Sequence, residues 1–185
     1  MNTGKQAMKV REYLEKHGAR VGEAAVAELR FDASFRALCE QNSCGYYGAC
    51  WTCPPDAGPI GPLMEKARSY ERALVFQTVF PIEDPFDIEG MHEAGRRHNR
   101  LVRKVRRKAE TKKLECLALG AGACGGCKTC AKKKGEPCRH PGRALLSLEA
   151  CGIDAYQMGR LAGLPLSNGA NTVSFLGVLL YHHKG

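Results

Sequence analysis

Eight cysteines in two tight groups are the residues of this sequence best suited to chemistry. The later group is Cys124, Cys127, Cys130 and Cys138, with Pro141 shortly after. Two Cys-x2-Cys steps in succession, closed by a fourth cysteine beyond a loop, come close to the spacing that wraps a chain around a cubane iron–sulfur cluster. Three thiolates within seven residues reach three irons, and the small Gly125 and Gly126 let backbone amides approach sulfur. The closing step departs from the bacterial ferredoxin pattern: seven residues separate Cys130 from Cys138, where about three are usual. Structural zinc sites more often pair two Cys-x2-Cys knuckles across a longer span. Iron–sulfur is therefore the first reading, zinc the alternative, and thiol chemistry a third.

The earlier group is Cys39, Cys44, Cys50 and Cys53, followed by Pro54 and Pro55. Its spacing is less diagnostic, but all four lie within fifteen residues of a Gly-rich segment. Cys53-Pro54 matches the Cys-Pro that closes a ferredoxin motif, where proline forbids helix. Iron–sulfur comes first here too, with zinc and free thiols open, and the partition of ligands between the two groups is not fixed. Cys116, on an expected strand, and Cys151, at an expected helix end, read as small packed residues. A redox or fourth-ligand role is the alternative for Cys151.

Ten cysteines in a chain whose first residues lead into a polar helical pattern, with no apolar leader segment, point to a reducing compartment. The expected location is the cytoplasm. The longest apolar run, Val173 to Tyr181, is broken by Ser174 and Gly177 and falls far short of the roughly 20 residues that cross a bilayer. No membrane partner is expected.

At the cysteine motifs the chain resembles a cysteine-rich family of predicted metal-binding proteins. The residues that carry the resemblance are Cys44-Gly45-Tyr46-Tyr47-Gly48, Trp51-Thr52-Cys53-Pro54-Pro55, Cys124-Gly125-Gly126-Cys127, Pro137-Cys138-Arg139-His140-Pro141 and Ser147-Leu148-Glu149-Ala150-Cys151-Gly152-Ile153-Asp154. The family usually has Met at the position of Leu148, a mild change. The resemblance runs from about residue 20 onward and implies metal or iron–sulfur binding without an established reaction.

Charge is unevenly spread. The net formal charge of +9 divides into −3 over residues 1–90 and +12 over residues 91–185. Much of the excess lies on one expected helix, Asp87 to Lys112. Met91, Ala94, His98, Leu101, Val102, Val105 and Ala109 recur on it at helical spacing as an inner stripe. Arg96, Arg97, Arg100, Arg103, Lys104, Arg106, Arg107 and Lys108 form the other face. Such a face is usually solvated; the sharper reading is a docking face for an acidic redox partner. Nucleic acid is the weaker reading, because no aromatic residue lies between Arg96 and Lys113 to stack on a base. Lys132, Lys133, Lys134 and Arg139 put further charge on the second cysteine loop, where it would raise a cluster's potential or hold an anionic substrate.

Other candidates carry less. His92 and His98 lie six apart, a poor spacing for a shared metal. His140 stands near Cys138, and His182 and His183 read as surface residues. Trp51, Tyr46 and Tyr47 are expected to pack around the first group. Gly120-Ala121-Gly122-Ala123 lacks the Lys and Ser/Thr of a phosphate loop and reads as a turn into the second group.

The elements that must position these residues read as follows. Residues 5–17 form a polar helix anchored by Met8, Tyr13 and Leu14. Asp32 or Ser34 caps a short helix running into Cys39, and residues 63–70 form another. Strands are expected at 72–80, 114–119 and 172–181, with a short one near 164–166. The first two, joined by the long helix, suggest a right-handed βαβ unit. Arg143 to Cys151 reads as a helix stopped by Gly152, and Asp154 caps a last helix ending near Ala162. The expected fold is a single α/β domain over residues 1–185. It comprises a small mixed sheet with packed helices, a helical extension over 1–18, and cysteine loops at 39–62 and 120–142.

Three functions fit this reading. The first is an iron–sulfur protein, of 4Fe-4S type with one or two clusters, passing electrons to a partner. The second is a cluster-dependent enzyme acting on an anionic or sulfur-containing substrate. The third is a zinc-stabilised module whose basic helix meets protein or nucleic acid.

Overall fold

The computed structural model describes residues 2–183. Residue 1 and residues 184–185, included in the expected domain, lie outside the described residues. Four strands form one sheet in the order β1-β2-β4-β3: β1 Arg20–Ala25, β2 Arg72–Pro81, β3 Cys116–Leu119 and β4 Thr172–Tyr181. Five helices accompany them: α1 Thr3–Lys16, α2 Phe35–Glu40, α3 Ile60–Arg68, α4 Ile88–Thr111 and α5 Ala155–Leu161.

The central strand β2 shows why the sheet is buried on both sides. Its apolar run has no polar alternation, as expected of a strand covered on both faces. Ala73 and Val75 enter one core with Val178 and Leu180 of β4. Leu74 and Phe76 enter the other with Leu179 and Tyr181. The first core is closed by Ala67 of α3 and Met158 of α5, together with Cys151 and Ile153. The second is closed by Val10 and Leu14 of α1 and by Val102, Val105 and Ala109 of α4. Each large side chain so buried contributes about 1.5–3 kcal/mol of transfer free energy.

The α/β class, the helix spanning Asp87 to Lys112 and the Asp154 cap are as the sequence reading has them. Asp87 accepts from the Gly90 amide at 2.8 Å and Asp154 from the Gln157 amide at 2.9 Å. Several details differ. Every ladder in the sheet is antiparallel rather than mixed. β2 and β3 do run parallel to each other on either side of α4, but β4 lies between them.

β1 escaped notice because Arg20-Val21-Gly22-Glu23 alternates weakly and pairs along one edge of β2. No strand forms at 164–166. Instead the Pro165 carbonyl accepts from the side chains of Gln77 and Asn168, at 2.7 and 2.8 Å, so side chains satisfy backbone that a ladder would have used. Arg143 to Cys151 is not one helix but two short 3-10 turns, Pro141–Arg143 and Glu149–Cys151. Gly152 does stop the second, at φ +69°, a left-handed conformation suited to glycine. On α1, Met8 is 53% exposed, and Ala7 and Val10 do the anchoring with Leu14.

Candidate metal centre

The first cysteine group starts at the end of α2 and runs through tight turns to α3. Cys39 lies in α2's last turn, Cys44 is exposed, and Cys50 is 3% exposed. The segment is tied largely to itself. The Gly48 amide donates to Pro54 O at 2.8 Å, Cys53 N to Cys50 O at 3.0 Å, and Ala57 N to Cys53 O at 2.9 Å. Asn42 Oδ1 accepts from the Tyr47 amide at 3.0 Å. The end of the loop is fastened by Arg36 of α2, which donates to Gly58 O at 2.8 Å and to Ala150 O at 3.2 Å.

These turns bring the four sulfurs within electrostatic reach of one another. The Cys53 thiol donates to Cys50 sulfur, which holds Cys50 far below the ordinary thiol range. The Thr52 side chain and amide and the Cys124 amide add to that effect. The same bond pushes Cys53 up, helped by burial and by the sulfurs of Cys50, Cys44 and Cys39. The opposed shifts favour a thiolate at Cys50 beside a protonated Cys53. Burial comes first among the causes that raise Cys39, followed by Glu149, whose carboxyl is itself pushed up by burial.

The second group is fastened from outside. Asn99 of α4 donates to Ala121 O at 2.8 Å and Ala123 O at 2.9 Å, and its Oδ1 accepts from Ala121 N at 3.2 Å. The approach is close enough that a β-carbon at Gly120 would overlap Asn99 Oδ1. One turn further along, Arg103 donates to Cys124 O at 2.7 Å and Gly125 O at 3.3 Å. Cys124 sulfur accepts from the Leu145 amide at 3.4 Å. Cys127, Cys130 and Cys138 are half-buried, and no hydrogen bond joins sulfurs of this group among the described residues.

The two loops dock on each other. Trp51 Nε1 donates to Glu136 O at 3.0 Å. Lys132 pairs with Asp56 and lies 4.5 Å from the centre of the Trp51 ring. The two segments that bear the eight candidate ligands thus pack against each other as one lobe. Tyr46 and Tyr47 are half-buried within it.

All ten cysteines are free thiols. Cys151 is buried and its thiol pushed up to about 12 by desolvation; Cys116 is pushed up to about 11. Both suit packed, protonated side chains. His98 is fully buried against the sheet, with Nδ1 2.8 Å from Thr78 Oγ1. Among the described residues, no three His, Cys, Asp or Glu side chains already stand together as a metal-binding group. The donor chemistry nevertheless fits a thiophilic metal: unpaired sulfurs, a depressed Cys50, and amide donors aimed at the sulfurs of Cys50 and Cys124.

The sequence reading did not single out Arg36 or Asn99, and it named Arg103 only as part of the basic face and Glu149 only within a family motif. Asn99 had a signal, since it lies three residues before Val102 and so shares the inner side of α4. Arg36 and Arg103 had none, because their partners are backbone carbonyls that only the fold brings near.

No helix among the described residues is long and apolar enough to cross a membrane. No curated protein and no solved structure matches the chain. A family model does, over residues 23–181, a span that takes in both cysteine loops and all of the sheet but the first half of β1. The chain belongs to the family described as predicted metal-binding protein, DUF2284.

Proposed function

We propose that this protein is an iron–sulfur protein of 4Fe-4S type that serves in electron transfer in the cytoplasm. The ligands would be Cys39, Cys44, Cys50 and Cys53 in the first loop and Cys124, Cys127, Cys130 and Cys138 in the second. The observation that carries the reading is the joining of both cysteine loops into one lobe through Trp51, Lys132 and Asp56. Bound there, a cluster would supply one-electron chemistry, with its potential set by burial and by hydrogen bonds to sulfur. The chain's own contributions are the amide donors of Leu145 and Cys124 to sulfur and the nearby cations Lys132 and Arg103. Each favours a more reducible centre. A redox partner protein with an acidic face would dock on the exposed cations of α4 and of the loop bearing Lys133 and Lys134.

The test is purification without oxygen, followed by measurement of iron, acid-labile sulfide and zinc and of the visible spectrum before and after dithionite. About four irons per occupied site and a brown colour that bleaches are expected. Zinc without iron would overturn the reading. Cys50→Ser and Cys127→Ser should each lower the iron content, whereas Cys151→Ser should leave it unchanged.

A further inference from the structure

A cleft of about 640 Å³ lies between α4 and the second cysteine loop, within the usual range for small-molecule sites. Its walls carry Arg100, Arg103, Lys104, Arg106, Arg107 and Arg143 against one carboxylate, Glu110. Part of that charge is already matched. Arg100 pairs with Glu93 at 2.9 Å and Arg106 with Glu110 at 3.2 Å. Arg103, Lys104, Arg107 and Arg143 have no carboxylate partner among the described residues.

Three of the four stand at helical spacing on α4, and the fourth faces them from the turn at 141–143. Arg103 is also held in place by the carbonyls of Cys124 and Gly125, so its guanidinium is positioned before any ligand arrives. Like charges gathered in a concavity repel one another unless an anion enters.

We propose that this cleft binds a small molecule bearing two or more phosphate groups. A single negative charge would leave most of the four cations uncompensated. Phosphate groups bring several charges into a small volume, in a geometry that arginine forks match. No Phe, Tyr or Trp lines the cleft, whose one ring is the imidazole of His140, so it lacks the broad stacking platform of a single-strand binder. The ligand would lie against Cys124 and Cys127, which line the same cleft. The inference rests on the cations alone and holds whichever metal the thiols take.

The test is calorimetric titration of the full-length protein, purified anaerobically with its metal, at about 150 mM salt to screen diffuse attraction. ATP and inorganic pyrophosphate, without added magnesium, are the probes, and the pair separates a phosphorylated organic ligand from inorganic polyphosphate. Saturable binding at one site per chain is expected for at least one probe. The double variant Lys104→Glu with Arg107→Glu should weaken it at least tenfold. Arg107→Gln, milder and at an exposed position, should weaken it severalfold. Lys66→Glu, on α3 across the sheet, should leave it unchanged.

Three results would overturn the proposal: no saturable binding of either probe, binding indifferent to both cleft variants, or a twenty-nucleotide strand (about that length) binding a hundredfold tighter than ATP. Iron content is read separately, so loss of the redox reading and loss of the phosphate site are told apart.

Discussion

The two cysteine loops reach the same lobe by opposite means. The first is held by its own backbone, through turns joining Gly48 to Pro54, Cys50 to Cys53 and Cys53 to Ala57, and its sulfurs interact with one another. The second has internal bonds around its 3-10 turn Ala131–Lys134 and from Arg139 to Thr129 O, but its stretch from Ala121 to Gly125, which bears Cys124, is fastened to α4 by Asn99 and Arg103. A local loop of Gly, Pro and Asn carries the information for its shape in its own residues. A loop hung on a helix takes its shape from a residue more than twenty positions away. The first should therefore tolerate changes in the scaffold that the second does not.

The strongest way to break that comparison is Asn99→Leu. It removes three hydrogen bonds and leaves the carbonyls of Ala121 and Ala123 and the Ala121 amide without their partner. An unsatisfied buried polar group costs about 1–3 kcal/mol, and these three backbone groups are only partly buried, so a loss of roughly 3–4 kcal/mol in unfolding free energy is expected. Denaturant unfolding would measure it. Metal analysis of Asn99→Leu combined with Cys50→Ser, and of Asn99→Leu combined with Cys127→Ser, would show the second loop emptied and the first still occupied. Equal loss from both loops would mean that Asn99 supports the whole lobe.

The contrast between the loops also explains what could be read in the sequence. Periodicity marks the inner stripe of α4, because Val102, Val105 and Ala109 all meet one apolar core. An unbroken apolar run marks β2, buried on both faces. Spacing marks the eight sulfurs as a set. What stayed hidden depends on partners distant in the chain. β1 is an edge strand whose identity lies in its pairing with β2. The residues 164–166 look like a strand until Gln77 and Asn168 claim the Pro165 carbonyl. Arg103 looks like one more surface cation in a basic run, yet it braces Cys124. Local chemistry is legible, whereas the scaffold that orients it is not.

A second, smaller effect probes the platform beneath the second loop through pH. His98, next to Asn99 on α4, is buried between the rings of Phe76 and Phe175, at 5.8 and 5.7 Å. Burial lowers its pKa from 6.5 to about 4. Between those values the unfolded chain holds the proton and the folded chain does not, so stability rises with pH there. The contribution is complete above pH 6.5 and is lost as pH falls to 4, about 3 kcal/mol in all. Thermal unfolding across that window should show the decline, and His98→Gln should flatten it. An equally steep decline in the variant would assign the effect to other groups.

The smallest expected effect concerns the seam between the loops. Lys132 and Asp56 have side chains 25% and 16% exposed, so their pairing is partly shielded from solvent and should contribute about 1 kcal/mol. The double-mutant cycle of Lys132→Gln and Asp56→Asn isolates that interaction. The seam itself should survive, because Trp51 keeps its bond to the Glu136 carbonyl. If the loops are independent in origin and joined only here, weakening the pair should loosen their mutual influence without emptying either. Iron retained by the first loop in Cys127→Ser would then change little when Lys132→Gln is added. A large further loss would show that the first loop leans on the second for its shape, and that the division between self-held and helix-held sites is false.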